Sequence, residues 1–300
     1  MAVTAAERGS SSAVLAASSA VAVWGLGNVL VKEIALSGPS LSFDRLWVGF
    51  VFALALVAAF RRRVTWRTLW LSAPGGLSFG VNTALFFTAV KLAGVTDATI
   101  IAALQPALLL CVAGPLFGEK VTVREIGGTV LALGGTALVV LGPGHQSSRS
   151  LVGDLLAVAA LLTWATYFVG SKRARRSMGT VEYQAAMSLW AAVVVTPVAL
   201  VNGGRISGGW VTWLWVVVMV VGPGGGHFLM NWAHQRLPLS QASLLTLAIP
   251  VVAMAGAAGI LGDRIEPVQI VGTALVLLSL AGVVTAGASP SRRVSRDGGT

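Results

Sequence analysis

Three residues in the first long apolar stretch could build a binding surface. Trp24, Asn28 and Lys32 recur at i, i+4 and i+8, so a helix carries them on one face. The second half of the chain echoes the outer two positions: Trp164 and Lys172 stand at the same separation, with Phe168 in the middle place and Tyr167 beside it. Flat aromatic rings stack on apolar or planar molecules and an amide both donates and accepts, so the chemistry implied is recognition. Trp24, Trp164 and Tyr167 would wall a cavity, and Asn28 would hydrogen-bond its occupant. The competing place for Trp is the aromatic belt at a membrane interface, and it is the reading taken for Trp66, Trp70, Trp210, Trp213 and Trp215 at the ends of apolar runs. For the deeper Trp24 and Trp164 both readings stand. Lys32 reads as a cation that snorkels to water.

Further polar groups interrupt the apolar runs. Gln105 stands immediately before Pro106, and Ile249-Pro250 repeats the break. Proline removes a helix hydrogen bond and frees a carbonyl; Gln105 could satisfy that carbonyl or face the cavity, and the cavity is the expectation. Pro106 and Pro250 are expected to kink their helices, as moving joints or as static bends. Gly222-Pro223-Gly224-Gly225-Gly226-His227 predicts an interrupted or closely packed helix. His227 and Asn231 follow on one face, His234 comes a turn later, and Asn82 lies one residue from the counterpart of His227 in the first half. His227, Asn231 and Asn82 are therefore cavity candidates.

Bond-making chemistry has little to work with. The eleven acids fall at the ends of apolar runs, in loops or in tails, where a mid-membrane proton relay would not be built. The Gly-x-Ser-x-Gly string Gly76-Leu77-Ser78-Phe79-Gly80 lies inside an apolar run and not at the strand-to-helix turn a nucleophile elbow needs, and no His-Glu-x-x-His helix or Lys-Ser/Thr after a glycine loop occurs. No catalytic residues, cofactor or metal are expected, and an enzyme is the weaker hypothesis. Without such a relay, movement down the substrate's own gradient is the default, and His227 is the one mid-run group able to titrate near neutral pH.

The elements that hold these residues follow from composition. Of 300 residues 55% are hydrophobic and 11% charged, against about 25% charged in soluble domains. Apolar runs long enough to cross a hydrocarbon core recur throughout. Ten spans are predicted, at about 13–35, 42–60, 68–90, 96–117, 122–142, 150–170, 181–201, 210–235, 240–261 and 266–287. With the N-terminus inside, fifteen of the 21 Lys and Arg fall in the even-numbered loops and the tails, so both termini are expected in the cytoplasm. The same rule accounts for the net charge of +10 without a nucleic-acid partner. Cys111 reads as a small buried hydrophobe, and pairs such as Gly114 with Gly118 and Gly282 with Ala286 as close helix contacts. Residues 288–300, rich in Ser, Arg and Gly, read as a disordered cytoplasmic tail.

A displacement of 144 positions lays Pro106 on Pro250, Gly118-Glu119-Lys120 on Gly262-Asp263-Arg264 and Gly128-Thr129 on Gly272-Thr273. The chain is thus read as a duplication, split at the polar linker 142–148, with repeats at 13–142 and 150–287. Five spans per repeat is an odd number, so the second repeat would be inverted in the membrane, a geometry suited to alternating access around a midplane site. This pattern, a mid-span Pro, a Gly-acid-base turn and a following Gly-containing span in each half, resembles the EamA family of the drug/metabolite transporter superfamily. The resemblance implies an all-α protein of ten transmembrane helices in two inverted five-helix repeats. It implies a secondary transporter of the inner, cytoplasmic membrane that exports small organic metabolites such as amino acids. A nucleotide-sugar, purine or drug carrier of the same superfamily stays open. The partners expected are a small-molecule substrate and the bilayer, with a homodimer left open.

The charge count predicts that cysteines replacing Arg62 and Arg173, in a Cys111→Ser background, react with an impermeant thiol reagent from the same face of the membrane. Labelling from opposite faces would overturn the inverted arrangement.

Overall fold

The structure, a computed structural model, describes residues 5–140, 150–201, 209–261 and 265–287. The linker 142–148 and the tail beyond residue 287 lie outside the described residues. Those described are helical apart from short turns: α1 (Ala5–Glu33), α2 (Gly38–Ala59), α3 (Trp66–Ala102), α4 (Gln105–Phe117), α5 (Val123–Val140), α6 (Leu151–Ala174), α7 (Thr180–Val201), α8 (Trp210–Met219), α9 (Gly225–Ala233), α10 (Leu239–Leu245), α11 (Ile249–Leu261) and α12 (Pro267–Gly287). A π turn, Val220–Gly224, joins α8 to α9, and a 3-10 turn, Thr246–Ala248, joins α10 to α11. Among the described residues eight segments are long and apolar enough to cross a membrane. The first and last predicted spans coincide with α1 and α12, which are helical but not among those eight.

Local sequence sets the helix ends. Ser37 accepts from the Ser40 amide ahead of Pro39, so α2 starts four residues before the predicted span. Thr122 and Glu125 exchange side chain-to-amide bonds in a capping box at the head of α5. Gly118 closes α4 in the left-handed region, φ 69°, its amide bonded to the Gly114 carbonyl. Gly94, φ 88°, turns the chain within α3 between the third and fourth apolar segments.

The expected kinks at Pro106 and Pro250 take a different form. Each Pro is the second residue of a new helix, α4 or α11, where its missing amide hydrogen is not needed. The interruption lies just before, at Ala103–Leu104 and in the 3-10 turn. Two packing expectations are corrected. Cys111 is exposed on α4 and not buried. Gly118 serves as a cap, and a Cβ on Gly282 would meet no described atom within 4 Å.

Across the bundle α3 runs along α6 and α7, α2 along α7, α1 along α9 and α11, and α5 along α12. The α5–α12 contact depends on two glycines: a Cβ on Gly135 would lie 2.6 Å from the Gly272 carbonyl oxygen, and one on Gly272 would lie 2.5 Å from that of Gly135. Neighbouring Gly134 has open space. Gly135→Ala should therefore lower the thermal unfolding midpoint in detergent, at a cost of about 1–3 kcal/mol. Gly134→Ala should be neutral or stabilising by up to about 1 kcal/mol. Equal effects would contradict the close contact.

Candidate functional site

A cavity of about 850 Å³, counted with open space at its mouth, lies where α1, α2, α3, α6, the α8–α9 junction and the start of α11 meet. Trp24, Asn28, Asn82, Trp164, His227 and Pro250 line it. Gln105, Pro106, Tyr167 and Asn231 do not, and the side chain of Lys32 lies outside the described residues.

The wall is aromatic. Trp24 and Trp164 meet edge to face, centroids 5.3 Å apart and planes at 73°. His227 lies 4.8 Å from Trp24 and 4.4 Å from Phe79, a lining residue that no sequence pattern singled out. Such contacts contribute about 0.5–1.5 kcal/mol each beyond burial. The predicted interruption of the eighth span fixes this wall. Pro223 cannot donate to the preceding turn, the helix widens into the π turn, and the Trp24 indole N–H donates to the Pro223 carbonyl at 3.0 Å. Gly226 admits the indole, since a Cβ there would stand 2.8 Å from Trp24 Nε1.

Beneath the wall is a packed polar layer. The Tyr167 hydroxyl donates to Asn231 Oδ1 at 3.1 Å and lies 3.2 Å from His227 Nδ1. A hydroxyl has one hydrogen, so Nδ1 of His227 is the donor to Tyr167 and Nε2 remains as an acceptor. Asn231 Oδ1 also accepts from Ser171, and its amide nitrogen donates to Gln184 at 3.0 Å. Asn82 donates to the Ala160 carbonyl at 2.8 Å, tying α3 to α6. Gln105 is fully buried and accepts from Thr246, a lining residue, at 3.2 Å. Its expected place on the cavity surface is therefore corrected to one step behind it.

At the end rich in Arg and Lys the bundle is closed by charges that bury themselves. Lys172 Nζ lies 3.2 Å from Glu119 and donates to the Leu237 carbonyl at 2.6 Å. The Glu119 carboxylate accepts from the amides of Leu239 and Ser240, at 2.7 and 3.1 Å, at the head of α10. Arg175, 1% exposed, donates to the carbonyls of Asn231 and Met178 and to Thr180. Burial lowers its pKa to about 10, Tyr183 and Glu182 working the other way, so it stays cationic at neutral pH.

Sequence reasoning missed this closure and several cavity residues, Phe79 and Arg45 among them. Glu119 was visible only as part of the repeated turn, and nothing local pairs it with α6 or α10. Arg45 falls inside the predicted second span, 42–60, but near its start, and it was counted with the cations that flank the outer side. The Ser37-Gly38-Pro39 cap signal would have placed it two turns inside α2, where it lines the cavity. Among the described residues no group of three or more His, Cys, Asp or Glu could hold a metal ion.

The EamA-like transporter family matches residues 11–141 and again 151–285. The "Aromatic amino acid exporter YddG" of Ancylobacter novellus is 28% identical over 61% of this chain and 64% of its own length, so the matched chain spans just under two thirds of that relative. The "Probable amino-acid metabolite efflux pump" of Salmonella typhimurium is 25% identical over 87% of this chain and 90% of its own. A solved crystal structure shares the fold, with a TM-score of 0.76 at 24% identity over 92% of this chain and 98% of that one. With its apolar helices and two family-matching halves, the chain is a multi-pass membrane protein that belongs to the EamA-like transporter family.

Proposed function

We propose that the chain exports small organic metabolites, amino acids or related compounds, across the cytoplasmic membrane by alternating access. The carrying observation is the cavity between the halves, with Trp24 of the first half against Trp164 of the second. The relatives named as exporters of amino acids or their metabolites support the cargo class.

In this reading ten spans form two inverted repeats, 13–142 and 150–287, and both termini are cytoplasmic. Packing supports it: α1 lies against α9 and α11 as α6 lies against α3 and α4, while the counterparts α2 and α7, and α5 and α12, pair with each other. A two-fold relation between the halves requires that exchange. The basic end is then cytoplasmic, and the cavity lies in the outer half above the closed layer. Release or uptake at the cytoplasmic face requires Lys172 to leave Glu119.

Counterflow in proteoliposomes over a panel of amino acids and related metabolites tests the function; exchange of none of them would overturn it. For a cargo so found, Trp24→Ala and Trp164→Ala should weaken apparent affinity about 2- to 10-fold, while exposed Trp210→Ala should not. Equal losses in all three would point to general destabilisation.

The closure has its own test. Glu119→Gln should speed labelling from the cytoplasmic face of a cysteine introduced by Trp164→Cys, in a Cys111→Ser background. An unchanged rate would mean that the ion pair does not hold that end shut.

A further inference from the structure

Arg45 stands in the cavity lining without a counter-ion. It is only 6% exposed and borders both the main cavity and a smaller one between α2, α7 and the α8–α9 junction. Among the described residues it makes no ion pair and no hydrogen bond; its guanidinium lies 5.5 Å from the centre of the Phe87 ring. A buried guanidinium carries five donors in a planar fork, and leaving it unpaired away from water is costly. The other two buried cations described, Lys172 and Arg175 at the basic end, have their acceptors. Arg45 differs in bordering the cavity without such an acceptor.

The rest of the lining says what would fill that space. Among the described residues no Asp or Glu lines the cavity, so an ammonium group finds no carboxylate among them. Thr83 donates to its own helix, and Asn82 donates to Ala160. Thr99 lines the cavity, and its hydroxyl is buried and without a hydrogen-bond partner among the described residues. Trp24, Phe79, Phe87 and Trp164 supply apolar and aromatic surface.

We propose that Arg45 binds the anionic group of the transported molecule, and that the favoured cargo is an organic monoanion: a carboxylate on an apolar or aromatic body without a free ammonium group. Such a carboxylate accepts two hydrogen bonds from the guanidinium fork. This rests on the transporter reading of the same cavity and narrows it from amino acids and their relatives to the deaminated or N-acylated acids among them.

Titration calorimetry on the full chain in detergent, with probes that share one aromatic body, tests it. 3-Phenylpropionate should bind wild type on the order of 10-fold more tightly than zwitterionic phenylalanine, and phenethylamine should not bind. Arg45→Met should weaken 3-phenylpropionate on the order of 10- to 100-fold and leave uncharged 3-phenylpropanol unchanged, with Arg45→Lys between them. Inorganic phosphate at the same concentration should not displace the acid. Should Arg45→Met fail to fold, the wild-type ranking of the probes still decides. Phenylalanine binding as tightly as the acid, displacement by phosphate, or no effect of Arg45→Met would each overturn the proposal. A wild type that exchanges other panel metabolites but ignores 3-phenylpropionate would overturn it and leave the transporter reading intact, whereas failure of all exchange removes both.

Discussion

Hydrocarbon offers no hydrogen-bonding partner, so every polar group that this chain carries into the membrane must find one inside the protein or border a cavity. Some polar side chains of the described helices meet that demand along the seam between the two halves, and many Ser and Thr meet it at a carbonyl of their own helix. Glu119 shows how demanding the arrangement is. A buried ion pair repays its desolvation only when its remaining lone pairs are also filled, and here two amides of α10 fill them while Lys172 supplies the charge. The pair therefore holds only while the end of α4, the end of α6 and the head of α10 are in register. Arg175 imposes a similar condition on α6, α7 and α9. Closure of the basic end is a property of registered helices, which is why a shift between the halves could release it as a unit.

The interruptions in the helices serve the other side of the seam. Three proline-marked breaks, before Pro106, at Pro223 and before Pro250, fall at the depth of the cavity or next to it. Pro223 leaves a widened turn whose carbonyl takes the indole of Trp24, so one backbone defect both satisfies a buried donor and orients the ring. Short helical rods joined at such breaks can tilt separately, whereas a continuous helix would have to move whole. Packing around them stays tight through small residues, Gly226 under the Trp24 ring and Gly135 against Gly272.

Part of the candidate site was legible because helical spacing tells direction. Trp24, Asn28, Trp164 and His227 were picked from shared faces and Asn82 from its place in the repeat, and all five line the cavity. Tyr167 and Asn231 were picked in the same way and lie beneath it. Each is about one turn further along its helix than Trp164 or His227, a displacement of about 4.5–6 Å at 1.5 Å per residue. A face gives no depth, and the floor of the cavity falls between those turns. Gln105 was misjudged because its partner, Thr246, is 141 positions away and belongs to the other half.

By itself the sequence determined the membrane class, the helical fold and the doubled family pattern, because a hydrocarbon slab dictates the length and apolarity of whatever crosses it and a duplication leaves its turns in place. The tertiary structure decided which charges meet and which one is left alone. Glu119 with Lys172, Trp24 with Pro223 and the solitary Arg45 are relations between helices distant in the chain. Hydropathy treats all of these as isolated polar letters, whereas their energies depend on partners a few ångströms away that only packing brings.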